Sequence, residues 1–258
     1  AGDDFLFDRL TRQIFQLDRL QLTTLADLKQ RQEWAATVVE RSIAQPNAAW
    51  SAAIARVKEQ HGFDLSPQIG LHPIGPDPAS GLEEFAHLAS GLVAERSAGG
   101  KLELNVDHGI VFVLIPATAV TIDEEILQLA PFLVGKHEVS RAQWRRLASD
   151  QPKLRLQDGG ILDVRNLHQL EKPANGVSWT MCARLAQRHG LCLPTDAQWT
   201  ALQLREQRSW GSQPPGDDYF GARLNLRDLS YQNGPYGDPS ERCAPFDDHF
   251  PVLAPVHS

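Results

Sequence analysis

The chain has 258 residues, 42% of them hydrophobic and 22% charged, which is enough for a substantial folded core and points to neither disorder nor a fibrous repeat. A formal charge of −7 and a pI near 5.7 argue against broad attraction to phosphate backbones, so nucleic acid is not expected as a partner. Three cysteines without a CxxC pair make no disulfide framework, no apolar run approaches the roughly 20 residues that span a bilayer, and the acidic start Ala1-Gly2-Asp3-Asp4 is unlike a signal peptide. A reducing, cytoplasmic setting with no membrane partner is therefore expected. The first residue is not Met, so it reads as a processed, engineered or internal boundary of a longer protein.

From Phe5 to about Gln60 apolar residues recur at helical spacing, as in Phe7, Leu10, Ile14 and Leu17 and again in Trp34, Val38, Val39 and Ile43. This predicts two or three amphipathic helices that form a small bundle or lean on the next domain. Gln45-Pro46-Asn47 interrupts them, with Asn47 placed to cap a helix over residues 48–59. Residues 61–81 are dense in Pro and Gly and read as a connector, leading into a short amphipathic helix over residues 83–92 and a polar loop to Asp107. Residues 110–115 (IVFVLI), closed by Pro116, predict a buried strand, and residues 132–139 a second. Helices are then expected from Ser140, a serine placed as an N-cap, and over residues 178–188, the second ending at Gly190. Beyond Trp210 the chain is rich in loop-forming residues. The chain thus divides into three units: a helical region 1–62, a connector with a short helix 63–107, and a domain 108–258.

Five local strings in the last unit occur in a fixed order: residues 109–116 (GIVFVLIP), 131–144 (PFLVGKHEVSRAQW), 177–179 (VSW), 193–199 (LPTDAQW) and 254–256 (APV). Together they resemble the formylglycine-generating-enzyme and sulfatase-modifying-factor family, in which similar strings read as a strand ending "IPxG", then "EVT..Q", "VSW", "LPTEAEW" and "APV". Residues 65–85 resemble the segment that precedes this domain in large bacterial proteins. The resemblance implies an α+β fold of the C-type-lectin-like kind with long loops, here preceded by a helical region.

It also implies calcium, held by the side chains of Asn225 and Asp248 and the main-chain oxygens of Leu226 and Phe250, since a hard cation takes oxygen ligands. Family members hold copper on two thiolates and oxidise a Cys of a protein substrate to formylglycine. Cys182, Cys192 and Cys243 do not match those positions, and the family would continue past Ser258 through its "GNVWEW" segment to the cysteine pair. The family's "GGxFxMGS" is Ala117-Thr118-Ala119-Val120 here, and its "EAEWEYA" is altered over residues 196–202. The expectation is therefore a non-catalytic scaffold that binds a protein or peptide, or the remainder of its own parent chain. The alternative is one part of a copper-dependent oxidase whose cysteines lie further on, with copper expected only if that segment is present. A third reading makes residues 1–60 an oligomerising or docking helix set.

The remaining chemistry-bearing residues read as structural. Nine histidines are scattered without an HxxxH or HExxH spacing. Arg141, Arg145 and Arg146 read as a solvated helix face, His137-Glu138 as a solvated strand end, and Trp144, Trp179, Trp199 and Trp210 as core. Cys182 and Cys192 read as small core residues, and Gly159-Gly160 as a turn.

Overall fold

The computed structural model describes residues 2–19, 25–148 and 167–205. Helices α1 (Gly2–Arg19), α2 (Ala26–Val39) and α3 (Asn47–His61) come first, with a π-helical turn, Glu40–Ala44, between α2 and α3. Next come strands β1 (Leu71–Pro76), β2 (Glu83–His87), β3 (Val111–Ile115), β4 (Thr118–Ile122), β5 (Glu125–Leu129) and β6 (Phe132–Gly135), then helices α4 (Arg141–Leu147), α5 (Leu167–Leu170), α6 (Trp179–Arg188) and α7 (Asp196–Arg205). The architecture is mixed helix and sheet with a helical N-terminal region. Among the described residues no helix is long and apolar enough to cross a membrane.

An antiparallel sheet of order β1-β2-β3-β6 is the centre of the molecule, and β4 and β5 form a separate hairpin. The apolar run over residues 110–115 becomes the inner strand β3, as its continuous β-branched character requires. β6 pairs with it from Ile115↔Phe132 to Phe112↔Gly135, and stops short of the expected end at residue 139. β1 and β2 come from the stretch expected to be a connector with a short helix. No helix forms over residues 83–92: β2 is instead an inner strand with all five residues buried. The sheet therefore draws strands from both sides of residue 108.

Two glutamates in a strand covered on both faces must be neutralised, because an unpaired buried carboxylate is strongly disfavoured. Alternation sends them to opposite faces. Glu83 receives the Arg56 guanidinium of α3 in a two-pronged contact, Nη2 to Oε2 at 3.0 Å. Glu84, fully buried, accepts from Arg96 Nη2 and Lys136 Nζ, each at 2.6 Å. Lys136 also reaches Asp77 at 3.0 Å. Burial alone would raise the Asp77 carboxyl, but hydrogen bonds from Lys136 and Ser80 outweigh it and hold the group at about 2. Burial likewise opposes the charge on Lys136, yet Glu84 and Asp77 raise its pKa.

On the Glu83 face, α3 buries Trp50, Ala53 and Val57, a helical i, i+3, i+7 stripe. Trp50 and Val57 pack with Leu71, Phe85 and Leu114, and the Trp50 and Phe85 ring centroids are 5.3 Å apart. Asn47 does not cap this helix: it is the first helical residue, because the chain arrives through the wide turn rather than from extended backbone. The expected cap at Ser140 forms, and Ser178 caps its helix in the same way. Ser140 and Gln143 make a reciprocal capping box on α4, and Ser178 accepts from Met181 N–H at 3.3 Å on α6. A second cluster joins Ile110 of the sheet to Trp144 and Leu147 of α4, Leu170 of α5 and Leu185 of α6. The apolar residues of α1 remain uncovered by the described residues: Leu6, Phe7, Leu10, Ile14, Phe15 and Leu17 are 56% to 71% exposed.

Candidate functional site

At the end of β2 the sheet, α2, α4 and the C-terminal end of α6 enclose a cleft of about 440 Å³. Its lining includes Arg31 and Trp34 from α2, His87 from β2, Arg146 from α4, and Arg188 and His189 from α6 and its end. None of the described residues of the lining is a carboxylate, although the chain as a whole carries −7. A larger cavity of about 560 Å³ beside Asp77 and Lys136 has less to offer a ligand, since those two charges are already paired.

Behind the cleft lining a fully buried serine holds His87. Ser90 Oγ donates to His87 O at 2.9 Å, accepts from Ile110 N–H at 2.8 Å, and lies 3.1 Å from His87 Nδ1. Gly109 permits this closeness: a Cβ there would sit 2.5 Å from His87 O and 3.1 Å from Ser90 Oγ. The His87 ring meets Phe112 edge-on at 5.9 Å and His189 at 6.5 Å, nearly perpendicular. Burial, with the neighbouring His189 adding to it, pushes the His87 pKa down to about 4, so the ring is neutral at neutral pH.

Arg146 is fixed by main-chain carbonyls far away in sequence. Its Nε donates to Ser90 O at 2.5 Å, and its Nη2 to Val106 O at 2.8 Å and His108 O at 3.1 Å. Burial lowers its pKa, Asp107 opposing and Arg145 adding to the effect, and the guanidinium stays charged. His189 reaches Leu147 O through Nε2 at 2.9 Å, which ties the end of α6 to α4.

The solvated arginine face expected over residues 141–146 is thus corrected. Of its three arginines only Arg145 is exposed. Arg141 is buried, 4% exposed, with Nη1 donating to Gln169 Oε1 at 2.5 Å and Nη2 to Asn175 Oδ1 at 2.9 Å. Trp144 is core, but Trp179 and Trp199 are 74% and 56% exposed. Ala201, buried, is two residues from Trp199 and so faces nearly the opposite way on its helix, and Leu185, the buried residue of α6, is about 120° round the helix from Trp179. Cys182 packs half-buried beside the second cluster, and burial pushes its thiol upward, away from the thiolate that a metal ligand needs. Cys192 is exposed rather than core. Glu138 is exposed as expected, but it lies in the loop after β6 rather than at a strand end.

The four residues expected to hold calcium, Asn225, Leu226, Asp248 and Phe250, lie outside the described residues, as do Cys243, Trp210 and Gly159-Gly160. Among the described residues no group of three or more His, Cys, Asp or Glu is placed to hold a metal ion. Sequence reasoning misses His87, Arg146, Arg188 and His189 because the two histidines stand far apart in the chain and fit no local spacing.

The fold and cleft define an α+β protein with a cationic recess in an acidic chain. Compared with protein-family models, curated proteins and solved structures, the chain matches none.

Proposed function

We propose that this chain is a non-catalytic scaffold of the formylglycine-generating-enzyme and sulfatase-modifying-factor type, with a C-type-lectin-like fold, that binds an acidic segment of a protein or peptide partner. The observation that carries the reading is the cleft of about 440 Å³, where the Arg146 guanidinium, held by three main-chain carbonyls, stands beside His87 and His189 with no carboxylate in the described lining. Arginine presents a planar fork that matches a carboxylate, and Trp34 adds an apolar wall for a side-chain stem. The ordered sequence strings support the family assignment. A cytoplasmic location and a calcium ion at Asn225, Leu226, Asp248 and Phe250 belong to the same proposal.

Fluorescence anisotropy with a labelled hexaglutamate peptide and its hexaglutamine twin tests it. The acidic peptide should bind saturably, weaken with salt, and lose about tenfold in affinity, some 1.4 kcal/mol, in Arg146→Gln. Equal binding of the two peptides, or an unchanged affinity in the variant, would overturn it.

A further inference from the structure

The cleft's ring nitrogens are sorted into two kinds by their hydrogen bonds. A carbonyl only accepts, so His189 Nε2, at 2.9 Å from Leu147 O, carries a hydrogen. Ser90 has a single hydroxyl hydrogen, directed at His87 O, and its oxygen accepts from Ile110 N–H. The contact of 3.1 Å with His87 Nδ1 is then satisfied by an Nδ1–H donating to Ser90, which leaves His87 Nε2 as a lone pair. No described residue bonds to His87 Nε2, His189 Nδ1 or Arg146 Nη1, and none of these three atoms is sealed from solvent without a partner.

A carboxylate entering the cleft therefore meets one ready donor, Arg146 Nη1, and one lone pair, on His87 Nε2, that would repel it. Adding one proton turns a repelling nitrogen into a charged donor. A bound cation is the poorer fit, because the Arg146 guanidinium shares the lining. We infer that the cleft takes up a peptide side-chain carboxylate together with a proton from solvent, His87 Nε2 becoming the N–H that donates to the bound oxygen. No covalent bond to carbon changes, and the proton comes from the buffered solvent. The coupling rests on the proposed binding role and adds its regulation: acidification strengthens capture.

The groups that set this balance face His87 from every packed element: His189 and Arg188 from α6, Arg146 from α4, Arg31 from α2, Ser90 from the turn and the Phe112 edge from β3. In the free protein His87 is held at about 4. If a bound carboxylate restores an ordinary value of about 6.5, binding at pH 5.5 is about tenfold tighter than at pH 8, with uptake of close to one proton. A glutamate side chain remains mostly ionised at pH 5.5, so the ligand itself changes little.

Isothermal titration calorimetry of the full chain with blocked hexaglutamate, in two buffers of different ionisation enthalpy at pH 5.5 and again at pH 8, reads both quantities. The expected result is about tenfold tighter binding at pH 5.5, a buffer-dependent enthalpy equal to nearly one proton taken up, and loss of both in His87→Gln. Binding with no buffer dependence and equal affinity at the two pH values would overturn the coupling and leave the binding reading intact. No binding at either pH would overturn the binding reading itself. Proton uptake that persists in His87→Gln would overturn the role of His87, and binding of inorganic phosphate but not of the peptide would overturn the carboxylate. If His87→Gln does not fold, the wild-type buffer dependence decides alone.

Discussion

Replacing His87 by Gln should remove a defined part of the acid sensitivity of the fold. The unfolded chain protonates a histidine near 6.5, whereas the folded protein holds His87 at about 4 because the ring is buried against Ser90, Phe112 and His189. Between those values the unfolded state binds more protons, so stability is lost as pH falls from about 6.5 to about 4. The full effect is about 3 kcal/mol, and the part already lost at pH 5 relative to pH 8 is about 2 kcal/mol. Of a total stability of about 5–15 kcal/mol this is a measurable share. Urea denaturation at pH 8 and pH 5, in chloride without added carboxylates, gives the difference for each protein. Gln retains an amide donor toward Ser90, so the variant should fold and its pH 8 to pH 5 loss should be smaller by about 2 kcal/mol. An identical loss in both proteins would refute the claim that His87 is buried neutral.

Further perturbations test other parts of the molecule. Glu84→Gln leaves Arg96 and Lys136 facing each other without their shared carboxylate, and should cost about 3–5 kcal/mol at pH 7 by urea denaturation; a loss below about 1 kcal/mol would contradict the buried ion cluster. Asp77 is depressed from 3.8 to about 2, so its contribution is present above pH 3.8 and lost as pH falls toward 2; Asp77→Asn should flatten that acid limb, and an unaltered limb would contradict it. Calcium at 100 times its Kd should stabilise the chain by about 2.7 kcal/mol, seen as a lower Tm with chelator, and Asp248→Ala should abolish the difference; melts insensitive to chelator would count against Asn225 and Asp248 as ligands.

What is legible in the sequence is what local chemistry decides. The β-branched run of residues 110–115 suits only a buried strand, and Ser140 and Ser178 stand before amphipathic helical spacing, so β3, α4 and α6 form where those patterns place them. β1 is hidden because Pro73 and Pro76 mark a turn in local terms, yet an edge strand tolerates the missing N–H groups. β2 is hidden by Glu83 and Glu84, whose pairing with Arg56, Arg96 and Lys136 is long-range. The cleft is illegible for the same reason. Arg146 is converted from a surface residue into a cleft residue by the carbonyls of Ser90, Val106 and His108, between 38 and 56 positions away. His87 and His189 meet only once α6 docks on α4 through the Leu147 carbonyl.

The most direct test of the account is a histidine-selective NMR titration of the full chain, tracking the ring signal of His87, identified by its loss in His87→Gln, with and without hexaglutamate. The account predicts a His87 signal that stays neutral down to about pH 5 in the free protein and shifts to a protonated ring near pH 6 when the peptide is bound. A His87 ring that titrates near 6.5 in the free protein and ignores the peptide would contradict both the buried neutral histidine and the cleft as a carboxylate site.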